Sequence, residues 1–136
     1  MTLPLQWTQD LSVGVDEIDK QHKELFNRIN NLFDAIRHGK GREDVGTLIN
    51  FLEDYTVMHF ALEERYMANY DYPDSMFHKS KHSKFIQEFS VIKNTFESNG
   101  ATVDLVIRIN IFLTEWWMNH IRTSDKLLGV YLKKRL

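Results

Sequence analysis

Five of the six histidines, together with two carboxylates, fall at intervals that set donor atoms side by side: His22 alone, His59 with Glu63, His78 with His82, and His120 with Asp125. Helical residues four apart share a face with their Cβ atoms about 5 to 6 Å apart, so His59 with Glu63, or His78 with His82, can serve one metal centre. His120 and Asp125 are five apart. An ideal helix leaves residues five apart turned by about 140° from one another, so both reach one site only where the helix ends or distorts. The spacing therefore predicts a departure around Arg122 to Ser124. Neutral imidazole suits iron, copper, nickel and zinc, and a carboxylate can offer its two oxygens to neighbouring ions. Five nitrogens with two bridging carboxylates make a ligand set for two first-row metal ions, one with three histidines and one with two, the second keeping an open position. Read alone, His22 on an apolar stripe would be a hydrogen-bonded core histidine and Glu63 a buried ion-pair partner. Read together without metal, the seven side chains would carry a large desolvation cost. His38, beside Gly39, reads instead as a surface residue or a favourable charge at a helix C-terminus.

The elements that must position these groups are helices. Ile18, His22, Leu25, Phe26, Ile29, Phe33 and Ile36 recur at three- and four-residue steps, which predicts one amphipathic helix. His38-Gly39-Lys40-Gly41 breaks it. A second helix begins near Arg42 to Asp44, with Val45, Leu48, Ile49, Leu52, Tyr55, Thr56, His59, Leu62, Glu63 and Tyr66 inward. After a break at Asn69 to Pro73, a third carries His78, His82, Phe85, Phe89, Ile92 and Phe96 inward. Beyond Ser98-Asn99-Gly100 a fourth carries Val103, Val106, Ile107, Asn110, Leu113, Trp117 and His120. Four such helices with short connections predict an all-α fold, an antiparallel up-down-up-down four-helix bundle with an N-terminal arm and a short C-terminal helix. In that topology His59, Glu63 and His120 lie late in helices two and four, and His22, His78 and His82 early in helices one and three, so all come to one end. One domain over residues 1–136 is expected, with the arm over about 1–16, the bundle over about 17–122 and the last helix over about 126–136.

Composition narrows the function. At 136 residues and 43% hydrophobic, the chain suits one core. A formal charge of −2, from 17 basic and 19 acidic residues spread along the chain, gives no basic surface for nucleic acid. With no cysteine, disulfides, thiolate zinc sites and cysteine-held clusters are excluded, so nitrogen and oxygen must hold any metal. The start of the chain lacks a signal-peptide pattern and no run approaches the ~20 apolar residues of a membrane span. A cytoplasmic location is the expectation. The terminal LLGVYLKKRL either closes the bundle and ends in a solvated basic tail, or docks on a membrane or a partner protein.

Over nearly its whole length, from Trp7 and the segment Val15-Asp16-Glu17-Ile18-Asp19-Lys20-Gln21-His22, through HFALEE and HKSKH to HIRTSD, the chain resembles the hemerythrin family, specifically its single-domain bacterial members. The resemblance implies two iron ions per chain in a non-haem di-iron centre. It implies His78, His82 and His120 on the saturated iron, His22 and His59 on the iron that accepts oxygen, and Glu63, Asp125 and an oxo or hydroxo group as bridges. Reversible dioxygen binding by a carrier or store follows as the expected function, not an enzyme, with an oxygen or redox sensor, or a di-iron enzyme removing peroxide or nitric oxide, as alternatives. A monomer is expected. Five histidines against two carboxylates support that choice, because fewer anionic ligands stabilise high-valent iron less well. Reversibility also needs an apolar pocket that keeps out water. Leu25, Phe60, Trp116, Trp117 and Ile121, each within four residues of a ligand position, are its candidate walls, with ordinary core packing as their other reading.

Overall fold

The computed structural model describes residues 5–38 and 42–136. Its helices are α1 (Asp16–His38), α2 (Arg42–Asn69), α3 (Ser75–Asn99), α4 (Val103–His120) and α5 (Lys126–Lys133), with a π-helical turn, Ile121–Asp125, joining α4 to α5. Each consecutive pair among α1 to α4 is packed together, as short connections between antiparallel helices require. The fold is the expected all-α bundle. The expected break at Gly39 to Gly41 lies outside the described residues.

Local chemistry explains the boundaries. Asp16, Glu17 and Asp19 occupy the first turn of α1, where the helix dipole favours negative charge. Between α2 and α3 the chain turns through Asp71 at φ 52, a left-handed position that aspartate tolerates better than most residues. Gly100, at φ 77, ends α3 and donates its N–H to Phe96 O at 2.8 Å. Thr102 then caps α4, its Oγ1 accepting from Leu105 N at 3.1 Å.

The inward stripes of α1, α2 and α3 match the sequence reading closely. Ile18, Leu25, Phe26, Ile29, Leu48, Ile49, Leu52, Phe85, Phe89 and Ile92 are buried, while Ile36, Tyr66 and Phe96 are only partly covered. The first half of α4 corrects that reading. Val103 and Ile107, expected inward, are 75% and 52% exposed, and Leu105, Ile109 and Leu113 form the buried seam instead. Val106 and Asn110 are half-buried. The reason is that this segment is apolar almost all round, so three- and four-residue spacing admits more than one phase, and packing against α3 selects among them.

From Leu5 onward the arm is tied to the bundle by hydrogen bonds. Leu5 N–H donates to Asn30 Oδ1 at 2.8 Å and Leu5 O accepts from Asn30 Nδ2 at 2.7 Å. Further on, Asp19 accepts from Val13 N at 2.8 Å and from Ser12 Oγ at 2.6 Å. The arm then crosses α5 so closely that a Cβ at Gly129 would collide with Val13 O, which only glycine permits. Helix α5 buries Leu128, Gly129 and Leu132 against the rest of the fold, while Leu127 and Val130 on its other side are exposed. Among the described residues no helix is long and apolar enough to cross a membrane.

Candidate metal centre

Each candidate ligand is carried by an element whose geometry aims it at one end of the core. His22 comes from the second turn of α1, His59 and Glu63 from the second half of α2, His78 and His82 from the N-terminal third of α3, and His120 from the last residue of α4. All seven, Asp125 included, are buried, with none more than 3% exposed. Asp125 joins them through the π turn: Lys126 N donates to Ile121 O, five residues back. Because a π turn closes over five residues, His120 and Asp125 come onto one face. The departure expected around Arg122 to Ser124 is this turn.

The donor atoms form two sets with two members in common. Glu63, His78, His82, His120 and Asp125 make one; His22, His59, Glu63 and Asp125 make the other, each with donor atoms within 4.8 Å of one another. The two carboxylates divide their oxygens between the sets. Glu63 Oε1 lies 3.3 Å from His78 Nε2 and 3.1 Å from His82 Nε2, while its Oε2 lies 3.3 Å from His59 Nε2 and 3.7 Å from His22 Nε2. Asp125 Oδ1 lies 3.2 Å from His78 Nε2 and 3.1 Å from His120 Nε2, and its Oδ2 lies 3.1 Å from His22 Nε2.

The arrangement fits metal. Two donors each about 2.1 Å from one ion, at roughly 90 to 110° to one another, stand about 3.0 to 3.4 Å apart, which is the spacing found here. Even like groups face each other at that distance: His82 Nε2 and His120 Nε2 are 3.2 Å apart. Without an ion, His22 Nε2, His59 Nε2, Glu63 Oε2 and both Asp125 oxygens are buried and, although each has an oppositely charged or polar neighbour within ion-pair distance, none makes a well-aligned hydrogen bond. Leaving charged groups so deprived costs several kcal/mol each, on the order of the whole stability of a small domain.

The electrostatics point the same way. Burial and the neighbouring Asp125 charge push Glu63 up, but His59 and His78 outweigh them and hold its carboxyl well below the usual carboxylate range. Burial likewise opposes ionisation of Asp125, and His120, His22 and His78 overcome it to hold that carboxyl low. Burial disfavours the charged form of His78, yet the adjacent Asp125 and Glu63 carboxylates raise it to about 9. Burial acts in the same sense on His59, and Glu63 followed by Asp125 pulls it up. The carboxylates are thus kept anionic, and in the metal-free protein protons sit where cations would bind.

Around the donors stands an aromatic wall. Phe60 stacks on His82, with ring centroids 3.8 Å apart and planes 7° apart, and Trp116 stacks on His120 at 4.4 Å and 20°. Trp117, fully buried, faces the other set, 5.8 Å from His59 and 6.3 Å from His22. Leu25 and Ile121 are fully buried in the same core. Of the five expected pocket walls, then, Phe60 and the half-buried Trp116 lie against the three-histidine set, and Trp117 covers the two-histidine set. Phe85 backs all three rings, at 5.6 Å from Phe60, 4.6 Å from Trp116 and 5.6 Å from Trp117. From outside, a crevice of about 170 Å³ lined by Tyr72, Phe77, Ser124 and Leu127 reaches His78. His38, the sixth histidine, is exposed and remote, with Nδ1 3.0 Å from Asp34 O.

Two site residues escape a reading of the ligand spacing. His59 Nδ1 lies 2.8 Å from Gln21 Oε1, and His82 Nδ1 lies 2.9 Å from Glu64 Oε2. Each is the immediate chain neighbour of a candidate ligand, Gln21 of His22 and Glu64 of Glu63. Turned about 100° (a little over a quarter-turn) along the helix, such a neighbour looks toward the adjacent helix, and that position was the available signal.

Comparison with known proteins agrees with this geometry. The family model described as the hemerythrin HHE cation binding domain matches residues 13–132. A bacteriohemerythrin of Stenotrophomonas maltophilia is 34% identical over 97% of this chain and 84% of its own length. A bacteriohemerythrin of Methylococcus capsulatus is 33% identical over 92% of this chain and 94% of its own. A wild-type hemerythrin crystal structure superposes with a TM-score of 0.82 at 32% identity, covering 96% of this chain and 98% of that one. Sequence match, backbone likeness and a buried pair of overlapping histidine and carboxylate sets coincide in one chain, which belongs to the hemerythrin family, a family of di-iron, oxygen-binding proteins.

Proposed function

We propose that this chain binds dioxygen reversibly at a non-haem di-iron centre and serves as an oxygen carrier or store rather than an enzyme, with residues 1–136 acting as one domain. The observation that carries the proposal is the pair of donor sets sharing Glu63 and Asp125, five imidazoles to two carboxylates. In this reading His78, His82 and His120 hold one ion, His22 and His59 the other, and Glu63 and Asp125 hold both. Bound iron would supply the electrons and the open coordination position that reversible oxygen binding requires. The protein's part is to exclude water and protons. Trp117 covers His22 and His59 with an indole of zero exposure, and Leu25 and Ile121 add apolar surface that offers water no partner. Phe60 and Trp116 hold the planes of His82 and His120 by stacking. The buried, depressed carboxyls of Glu63 and Asp125 stay anionic and so offer no acidic proton to a bound ligand.

The test is anaerobic reconstitution with ferrous iron, a count of iron per chain, and an optical titration with oxygen followed by an argon sweep. Two irons per chain and a visible charge-transfer band that rises with oxygen and vanishes on degassing are expected. Two irons with irreversible bleaching, or sustained consumption of peroxide or nitric oxide, would move the function to redox sensing or scavenging.

A further inference from the structure

The five histidines present their Nε2 atoms to the centre, and what meets the outer nitrogen differs sharply between them. The Nδ1 atoms of His22 and His78 are buried with no partner. That of His59 meets a neutral amide, Gln21. Of these four, His82 meets a carboxylate, Glu64 Oε2 at 2.9 Å, on a side chain 34% exposed while His82 itself is 2% exposed.

An ionised carboxylate only accepts hydrogen bonds, so a contact at this distance requires the proton to be on His82 Nδ1. The lone pair is thereby left on Nε2, which lies 3.1 Å from Glu63 Oε1 and 3.2 Å from His120 Nε2, inside the three-histidine set. Phe60, stacked at 3.8 Å with planes 7° apart, removes the remaining freedom of the ring. The orientation of His82 is therefore fixed twice, in plane by Phe60 and in tautomer by Glu64. A charged acceptor also draws the Nδ1 proton toward itself and makes the opposite nitrogen a stronger donor, an effect a neutral amide exerts less.

We propose that Glu64 is a positioning residue for the centre: its carboxylate holds the Nδ1 proton of His82, commits Nε2 to the metal, and makes the three-histidine side the more electron-rich of the two. The inference rests on the metal site proposed above and assigns a task to Glu64, the second carboxylate of the HFALEE segment and itself not one of the seven candidate ligands. Adjacent glutamates thus divide the work, Glu63 facing the ions and Glu64 facing the back of an imidazole.

Zinc gives a diamagnetic probe that tests this apart from oxygen binding. Full-length protein, Glu64→Gln and Glu64→Ala are compared by chelator competition for zinc and by nitrogen-15 NMR of histidine-labelled, zinc-loaded samples. In the parent protein His82 should show a protonated Nδ1 with slow solvent exchange. Glu64→Ala should weaken zinc binding about 10- to 100-fold and speed exchange of that proton. Glu64→Gln, which keeps an acceptor without charge, should recover most of the affinity yet shift the His82 nitrogens, and in the iron-loaded protein raise the reduction potential. Zinc affinity in Glu64→Ala within twofold of the parent, or His82 resonances unmoved in both variants, overturns the proposal. A parent protein that takes up no zinc and no iron overturns the metal site itself, and the inference with it.

Discussion

The two halves of the donor cluster are built from the same residue types but finished differently. The three-histidine half has two imidazoles pinned by stacked rings, Phe60 on His82 and Trp116 on His120, a carboxylate behind His82, and a surface crevice that ends against His78. In the two-histidine half, His22 and His59 have zero exposure, contact each other edge to face at 4.6 Å, and lie under the indole of Trp117. One half is braced; the other is sealed. This division suits the proposed reversible binding site, in which an ion with its positions filled would benefit from rigid donors and an open position from exclusion of water.

The most severe way to break the comparison is to remove what the halves share. Asp125→Ala, which deletes oxygens facing both sets, is expected to lower metal binding from two ions per chain to one or none, read by iron and zinc stoichiometry after dialysis. Retention of two tightly held ions would refute a shared carboxylate. His22→Ala attacks one half only. It should abolish the oxygen-dependent visible band while the metal-free protein keeps its far-UV circular dichroism and unfolds within a few degrees of the parent. Reversible oxygenation that survives this change would remove His22 from the site.

Trp117→Leu tests the seal. Large-to-small changes at fully buried positions cost about 2 to 4 kcal/mol, so Tm should fall. Irreversible oxidation of the iron-loaded protein in air should accelerate several-fold. Phe60→Leu, against the braced half, should cost comparable stability with a smaller effect on oxidation. Equal acceleration by both would mean that the division into a braced and a sealed half has no functional counterpart.

Protonation gives a subtler test on the metal-free protein. The Glu63 and Asp125 carboxyls, held low by their histidine neighbours, contribute stability that is present above the ordinary carboxylate range and lost as pH falls through their depressed values. His78, raised to about 9, contributes stability that is complete below the ordinary histidine value of about 6.5 (the unfolded reference) and lost as pH rises through about 9. Thermal melts of the metal-free protein should therefore fall off on both sides of a maximum at mildly acidic pH. Zinc uptake should release protons at pH 7 and release fewer above pH 9 (where His78 is already neutral), measurable in weakly buffered solution. Zinc binding with no proton release at pH 7 would contradict the raised His78. The smallest effect should come from Gln21→Ala. A neutral hydrogen bond is roughly half as strong as a charge-assisted one, so this change should weaken zinc binding only a few-fold, and less than Glu64→Ala does. The reverse order would place the stronger support behind His59.

Much of this was legible along the chain. In α1, charged and apolar residues alternate so regularly that one face alone can be buried, and Ile18, His22, Leu25, Phe26, Ile29 and Phe33 are that face. The seven donor positions could be found because helical repetition converts spacing into direction. The five-residue step from His120 to Asp125 was informative through its misfit, since two inward residues at that interval demand the extra residue per turn that the π turn provides. Where α4 begins, the same method failed. Val103-Asp104-Leu105-Val106-Ile107 carries apolar groups on several faces, and repetition has no phase to report when nearly every position qualifies.

The sequence by itself determined the residue types, the helical period and the end of the bundle at which imidazoles and carboxylates would gather, because these depend on chemistry and on rotation per residue along one helix. Tertiary structure alone decided which oxygen of Glu63 and of Asp125 faces which donor set, that Trp117 lies against both His22 and His59 while Phe60 stacks on His82, and that Glu64 and Gln21 stand behind His82 and His59. Those relations join different helices. They depend on the rotation and separation of helices about one another, and nothing in the order of residues along a single helix specifies either.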